Sequence, residues 1–283
     1  MKHVRPFSLY EAAHSSNPDN LTQRQIDDFL FDSLEGVSQW SLNKSTGMID
    51  IQGHFNVSDS MEKNKITRMP VQLGVVTGRC YGNFSKLQDM RGLPQEVRGN
   101  FSITHCNIRS LKGAPKKVGG DFIVTGNGLI SLKGMSQEIG GNVDVSHNSF
   151  GSLEGCTRYI NGNFICTGNP LISLEGAPLE IKGLFNYSKI SRANKRSLII
   201  PWNLAGWFEG SKEFPELFTP DFMLKRIANE KEIPQEALDY IIQSHSNMSY
   251  VRQNLPKLWI RVQPFSGSSD AAETSADLGE LGF

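Results

Sequence analysis

The stretch from Gly120 to Leu132 reads GDFIVTGNGLISL, and its order of glycine, apolar and asparagine positions returns every 21 residues. One period earlier the same register reads GNFSITHCNIRSL, and one period later it reads GNVDVSHNSFGSL. A unit this short cannot bury its own apolar face, so successive units must stack to create a core. The sequence therefore predicts a solenoid, and each 21-residue unit is called a rung below.

Within a rung, the alternation of side chains predicts a short strand followed by a turn. Phe122 and Val124 are expected to point inward and Ile123 outward. Asn127 follows where the chain turns, and we expect its side chain to bond the backbone of the neighbouring rung. The outer stretch 133–140 is too short for a full helix, so we expect extended or polyproline-like backbone there.

The pattern F-x-V-x-x-N-x-L-x-x-L that starts at Phe122 resembles the core of the leucine-rich repeat. The resemblance covers residues 53–190, and the 21-residue length is similar to the short bacterial type. The segments LKGAP at 111–115 and LEGAP at 174–178 resemble repeats found in proteins of large tailed bacteriophages. This resemblance implies a phage origin and supplies no activity.

The chain divides by composition into a repeat region and three flanking segments. We predict a leucine-rich-repeat-like β-solenoid of short parallel strands without convex helices, an α/β N-terminal cap and an α-helical C-terminal region. The predicted boundaries are 1–52 for the cap, 53–190 for the solenoid, 191–262 for the helical region and 263–283 for a disordered acidic tail.

Local signals set the ends of the predicted elements. Thr22 and Gln25 can form a capping box for a first helix that ends near Gly36. Thr219-Pro220 and Ile233-Pro234 are typical helix starts, and a further helix is expected at 250–255. One 21-residue period before Cys80 is position 59, whereas the apolar anchor of the first rung is Phe55. The offset of four residues indicates an insertion around 58–65.

Charge and hydropathy exclude some classes of partner. The chain has 29 Lys plus Arg and 29 Asp plus Glu, giving a formal net charge of zero. Overall charge therefore does not favour nucleic acid or an anionic membrane, and neither is expected as a partner. No apolar run is long enough to span a membrane, and the N-terminus lacks the apolar segment of a signal peptide. We expect the host cytoplasm as the location, with the virion as the alternative.

No cofactor, metal or catalytic residue is predicted. The four cysteines occupy columns of small or inward-facing residues, and no Cys-x-x-Cys pair is present. His105 and His147 share a column but lie two rungs apart, roughly 10 Å at about 4.8 Å per rung. That distance is too long for one metal ion to bind both.

The predicted partner-binding site is the outward face of the rung strands, on the concave side of the solenoid. Its members are Ser102, Thr104, Ile123, Thr125, Asp144, Ser146, Ile165 and Thr167. The Thr and Ser column has a second interpretation as a hydroxyl ladder that favours strand conformation without contacting a partner.

The C-terminal region offers two further candidates. Trp202, Trp207 and Phe208 are expected either to seal the far end of the solenoid or to form a surface patch. The tail residues Leu278, Leu281 and Phe283 resemble the terminal peptides by which replication proteins bind a partner. The segment 278–280 also resembles the L-x-E cleavage site of phage prohead proteases, and an inert tail is the third interpretation.

These observations favour a non-enzymatic protein that binds a host or phage protein through the concave face or the C-terminal region. A structural component of the virion is the first alternative. An enzyme with its site in the C-terminal helical region, within residues 198–262, is the second.

Overall fold

The computed structural model describes residues 22–58, 67–190 and 195–265, which form two compact units divided between Trp202 and Asn203. The first unit is a parallel β-solenoid of about six turns, and the second is helical, so the predicted fold class is confirmed. The division falls after the strand at 195–201, whereas the sequence assigned residues from 191 onward to the helical region. Most of the predicted tail, 266–283, lies outside the described residues.

The described part of the first unit comprises one helix and fifteen strands. They are α1 (Gln23–Ser33), β1 (Leu34–Asn43), β2 (Met48–Asn56), β3 (Leu73–Val76), β4 (Cys80–Tyr81), β5 (Glu96–Val97), β6 (Phe101–Ser102), β7 (Lys117–Val118), β8 (Phe122–Ile123), β9 (Glu138–Ile139), β10 (Val143–Asp144), β11 (Tyr159–Ile160), β12 (Phe164–Ile165), β13 (Glu180–Ile181), β14 (Leu184–Ile190) and β15 (Lys195–Pro201).

The predicted capping box begins α1. The Gln25 amide donates to Thr22 Oγ1 at 3.4 Å, and the Thr22 amide donates to Gln25 Oε1 at 2.9 Å. The helix ends at Ser33 rather than near Gly36, so that prediction is wrong. Gly36 does adopt a left-handed φ of 64°, but it lies in an irregularity of β1 between Glu35 and Gln39.

The nine-residue strand β2 starts two parallel ladders. Its first half pairs with β3 through Ile49 and Ile51, and its second half pairs with β4 through Phe55. The ladder that begins with β4, called the first ladder below, continues through β6, β8, β10, β12 and β14. The second ladder begins with β3 and continues through β5, β7 and β9, and β11 and β13 pair separately. Phe55 pairs with Cys80, 25 residues on instead of 21, which confirms the predicted four-residue insertion.

The interior of the solenoid is one continuous apolar column. Phe101 and Phe122 stack with ring centroids 5.5 Å apart, and Phe164 and Phe185 lie 5.6 Å apart. Val143 fills the position between them in the strand register. The predicted file of inward side chains is therefore confirmed, and each rung closes the apolar face of the next.

Asparagine side chains bind the turns of successive rungs together, as predicted. Asn127 Oδ1 accepts from the Cys106 amide at 2.9 Å, and its Nδ2 donates to the Ile103 carbonyl at 2.8 Å. Asn148 and Asn169 repeat this arrangement one and two rungs later. Cys106 takes the same position one rung earlier and donates through its thiol to a backbone carbonyl.

The outer side of each rung is extended, as expected, and it also forms a ladder of its own. Val97 pairs with Val118, and Val118 with Ile139. Each of these two-residue strands directs one apolar residue into the core, so the second ladder covers the outer side of the core without a helix.

Trp202 closes the last rung. Its ring packs edge-on against Phe185 at 4.7 Å, and its Nε1 donates to the Pro178 carbonyl at 3.1 Å. Tyr187 stacks on the same phenylalanine at 4.9 Å. Strand β15 pairs antiparallel with β14 beside this cluster and ends the thirteen-stranded sheet. The predicted seal is thus present at Trp202.

The described part of the second unit is helical. Its elements are α2 (Leu204–Glu213), α3 (Pro220–Ile227), α4 (Gln235–Ile242), α5 (His245–Asn254), α6 (Pro256–Val262) and a 3-10 helix (Gln263–Phe265). Thr219 caps α3, as predicted. The predicted helix at 250–255 is instead the end of α5, and Pro256 separates it from α6 because proline suits the first turn of a helix.

The helices of the second unit share one core. Its centre contains Leu224, Ile241, Val251 and Trp259, with Phe208 packed beside them. The sequence did not predict α2. Two glycines, Gly206 and Gly210, lie inside this helix, and glycine disfavours the helical conformation.

Candidate functional site

The eight predicted site residues lie on the outward face of the first ladder, and each is at least half-buried. Ser102, Thr104 and Ser146 are buried, with exposed fractions of 6%, 9% and 6%. The five others are half-buried: Ile123, Thr125, Asp144, Ile165 and Thr167. These side chains therefore expose only a small part of their surface to solvent.

Several polar groups on this face already have partners inside the sheet. Asn83 Oδ1 accepts from Ser102 Oγ at 2.8 Å and from the Thr104 amide at 3.1 Å. Asp144 Oδ1 accepts from the Ser146 amide at 3.0 Å. These bonds fix the side chains in place, so a partner would meet a rigid surface.

One row of the face alternates isoleucine with polar residues and extends further than predicted. Ile123 and Ile165 lie on the strands either side of Asp144. Ile165 pairs with Asn186 and Asn186 with Ile199, so the row continues onto β15. Ile199 is 57% exposed and was missed, because it lies beyond the last repeat on an antiparallel strand.

A line of exposed rings borders this face, three residues after the ends of β4, β6 and β10. Phe84, His105 and His147 have φ values of 54°, 55° and 54°, in the left-handed region. All three are exposed, and Phe84 is 76% accessible. The Phe84 and His105 rings stack at 4.7 Å with an interplanar angle of 7°. These three residues are called the ridge below.

Glycine fills the ridge position in the rung that follows each histidine. Gly126 and Gly168 have φ values of 62° and 72°. A Cβ at Gly126 would lie 2.5 Å from His105 Nε2, and one at Gly168 would lie 2.5 Å from His147 Nδ1. Each imidazole therefore lies across the backbone of the following rung, in space that only glycine leaves open.

The fold alone does not account for the ridge. A non-glycine residue with left-handed φ costs about 1–3 kcal/mol. Gly126 and Gly168 meet the same backbone requirement without that cost. Sequence reasoning considered the two histidines only as metal ligands and overlooked Phe84. The signal was the alignment of all three with glycine in the 21-residue period.

Metal-ligating side chains and reactive thiols are common carriers of catalytic chemistry. No group of three or more His, Cys, Asp or Glu among residues 22–58, 67–190 and 195–265 could hold a metal ion. His105 and His147 are separated by the rung that contains Gly126. Burial raises the pKa of the Cys80 thiol to about 12, which disfavours the nucleophilic thiolate.

The aromatic residues proposed for a C-terminal patch occupy packed positions. Trp202 and Trp207 are 7% and 3% exposed. Phe208 is half-buried and packs on Tyr240 with ring centroids 5.3 Å apart. Trp207 and Phe208 belong to the helical unit, and the tail residues Leu278, Leu281 and Phe283 lie outside the described part of the chain.

One polar cluster lies on the surface of the helical unit, where an enzyme site was the alternative prediction. Asp221 accepts from Lys225 Nζ at 2.9 Å and from the Tyr250 hydroxyl. The bond to Asp221 is the main cause that raises the pKa of Tyr250. The three side chains satisfy one another at the start of α3, which is sufficient for a structural role at a helix N-terminus.

Comparison with known proteins gives no relative: no family model, curated protein or solved structure matches the chain. Among the helices that the structure describes, none is long and apolar enough to cross a membrane.

Proposed function

We propose that this protein is a non-enzymatic interaction module that binds another protein through the first-ladder face and the ridge. The observation that carries the proposal is the ridge itself. Three exposed rings are held in a strained backbone conformation where glycine serves equally well in neighbouring rungs. Strain of this kind is concentrated at functional sites.

The chemistry of the surface suits a protein partner. Exposed aromatic rings supply a large contact area with few rotatable bonds, so they lose little conformational entropy on binding. The Phe84–His105 stack gives such an anchor at one border of the face. Ile123 and Ile165 supply apolar contacts beside it, and Asp144 between them offers an acceptor for a basic or hydrogen-bonding group. The resemblance to phage repeat proteins supports a host or phage protein as the partner.

The test is quantitative affinity capture with matched variants. Ile123→Asp with Ile165→Asp places charges in the centre of the face, and we expect partner recovery to fall about tenfold or more, the loss typical of a central contact. Ile130→Asp with Ile172→Asp is the control, because these isoleucines lie on the same two rungs, are 71% and 75% exposed, and lie outside the face.

A partner recovered with the wild type and the control, but not with the site variant, supports the proposal. Equal recovery with both variants, or equal loss, contradicts it. Circular dichroism of each variant confirms that the solenoid is folded before the capture data are interpreted.

A further inference from the structure

The zero net charge of the chain conceals an asymmetry along the solenoid. Residues 67–120 contain nine Lys or Arg and two Asp or Glu, whereas residues 121–183 contain three Lys or Arg and six Asp or Glu. The first rungs are therefore basic and the following rungs acidic. Two copies of the solenoid that lie side by side in opposite directions would place the basic rungs of each against the acidic rungs of the other.

One turn of the rung shows this asymmetry residue by residue. The same exposed position is occupied in four consecutive rungs by Lys112, Lys133, Glu154 and Glu175. The rungs are in direct contact here, since a Cβ on Gly155 would lie 2.5 Å from the Lys133 amide. The row therefore carries two positive charges followed by two negative charges. A two-fold rotation about its midpoint places every charge opposite one of the other sign.

The two ends of the row are the positions that have no ion-pair partner within the chain. At the centre, Lys133 Nζ lies 2.7 Å from Glu154 Oε1. Lys112 and Glu175 form no ion pair with any residue that the structure describes. They lie three rungs apart, about 14 Å, so they cannot pair with each other inside one chain. In the two-fold arrangement each of them meets the other from the second copy.

Exposed isoleucines lie beside this row on the same stretch of each rung. Ile130 and Ile172 are 71% and 75% exposed, and Gly151 occupies the same position in the rung between them. Ile172 stays close to that glycine: its amide donates to the Gly151 carbonyl at 2.9 Å. The missing side chain at Gly151 leaves room for an apolar group from outside. The four segments 109–112, 130–133, 151–154 and 172–175 are called the lateral face below.

The rotation that matches the charges also matches the apolar positions. It places Ile130 of one copy over Gly151 of the other, so a protruding side chain meets a position without one. It places Ile172 against Arg109 of the other copy, whose aliphatic stem can pack on an apolar side chain. One symmetry operation thus satisfies two independent rows of residues, which is the property expected of an isologous interface.

We propose that the lateral face binds a second copy of this chain in an antiparallel dimer whose two-fold axis passes between Lys133 and Glu154. Lys112 of each copy pairs with Glu175 of the other, and the central lysines and glutamates form an alternating group of four charges. The face covers four rungs, about 19 Å along the solenoid, so the interface is small and the association concentration-dependent.

The lateral face is separate from the site of the proposed function. It follows the ridge in each rung, whereas the face centred on Ile123 and Ile165 precedes the ridge. Ile130→Asp with Ile172→Asp should therefore abolish the dimer and preserve partner capture. Ile123→Asp with Ile165→Asp should do the opposite, so failure of one proposal is distinguishable from failure of the other.

Sedimentation velocity of the full chain, over a series that extends to high micromolar concentrations, tests the proposal. We expect a monomer–dimer equilibrium that stops at the dimer and weakens as salt screens the ion pairs. Ile130→Asp with Ile172→Asp should raise the dissociation constant about tenfold or more, because both apolar contacts are lost twice by symmetry.

Charge reversal makes the test decisive. Lys112→Glu and Glu175→Lys each create two pairs of like charge in the dimer, so each should raise the dissociation constant about tenfold. An equimolar mixture of the two variants should associate as the wild type does, because every pair in the mixed dimer again has opposite charges. The chain that carries both changes should also dimerise. Lys182→Glu is the control: it changes the net charge equally, lies outside the lateral face, and should leave association unchanged.

The proposal is overturned if the chain remains monomeric at every concentration or assembles beyond a dimer. It is also overturned if the mixture of Lys112→Glu and Glu175→Lys associates no better than either variant alone, or if Lys182→Glu weakens the dimer as much as Lys112→Glu. Circular dichroism of each variant confirms that the solenoid is folded.

Discussion

The ridge and the glycine turn show how the same backbone conformation can have opposite tolerance for side chains. The glycine turn is the column Gly92, Gly113, Gly134, Gly155 and Gly176, and all five have left-handed φ. A Cβ at Gly113 would lie 2.7 Å from the Met90 carbonyl oxygen, so this column has no room for a side chain. The ridge position has the same sign of φ but directs its side chains to solvent. Contact with the preceding rung, rather than φ alone, decides which column must be glycine.

The largest effect is expected at the glycine turn. Gly134→Ala introduces a Cβ 2.9 Å from the Leu111 carbonyl oxygen at a φ of 93°. We expect a loss of about 3 kcal/mol or more in the free energy of unfolding, measured by denaturant titration, from strain and backbone displacement together. Gly128→Ala is the control, because its nearest neighbour is 3.5 Å away. Similar losses in both variants would refute the distance argument.

The next effect concerns the residue that follows the ridge. Asn148 is buried, its Nδ2 donates to the Val124 and Val145 carbonyls, and its Oδ1 accepts from the Leu129 amide. Asn148→Ala leaves these groups unsatisfied, so we expect a loss of about 2–3 kcal/mol in thermal or chemical unfolding. Asn161→Ala removes one partly buried bond of 3.3 Å from an exposed side chain and should cost far less. Equal costs would show that the ladder does not stabilise the turn.

Alkaline pH tests the burial of a thiol in the interior of the solenoid. Burial raises the pKa of the Cys80 thiol from 9.0 to about 12, so the folded state retains a proton that the unfolded state releases. Stability is therefore full below pH 9 and falls as pH rises toward 12, by about 1.4 kcal/mol per pH unit for this thiol. The measurement is the free energy of unfolding against pH. Cys80→Val should show a shallower fall, and an unchanged slope would contradict the assignment.

Repetition explains which features could be predicted. The inward file of Phe101 and Phe122 and the bonding of Asn127 followed from the sequence, because identical neighbours impose the same environment on every rung. The ridge did not, since its position is occupied in successive rungs by Phe, His, Gly, His and Gly, which is not a recognisable column. Ile199 could not be placed without knowing that β15 returns antiparallel.

The helical unit shows the converse. Thr219 and Pro220 identify the start of α3 through local chemistry. No local sequence signal identifies which helices of this unit pack together, because the core of the unit forms from residues that follow no sequence period. The burial of Trp207 is of that kind.

The smallest effect is expected at the ridge, where its sign is the informative quantity. His147→Gly removes strain of about 1–3 kcal/mol and adds the entropy cost of glycine, about 0.5–1 kcal/mol, so the variant should equal or exceed the wild type in stability. Ser149→Gly, an exposed position outside the left-handed region, carries only the entropy cost and should be less stable. Chemical denaturation of the pair measures the difference. If His147→Gly is as destabilised as Ser149→Gly, the ridge is unstrained and the physical reason for regarding it as a binding site is lost. If it is stabilised while partner capture falls, the ring at this position is retained for contact at the expense of stability.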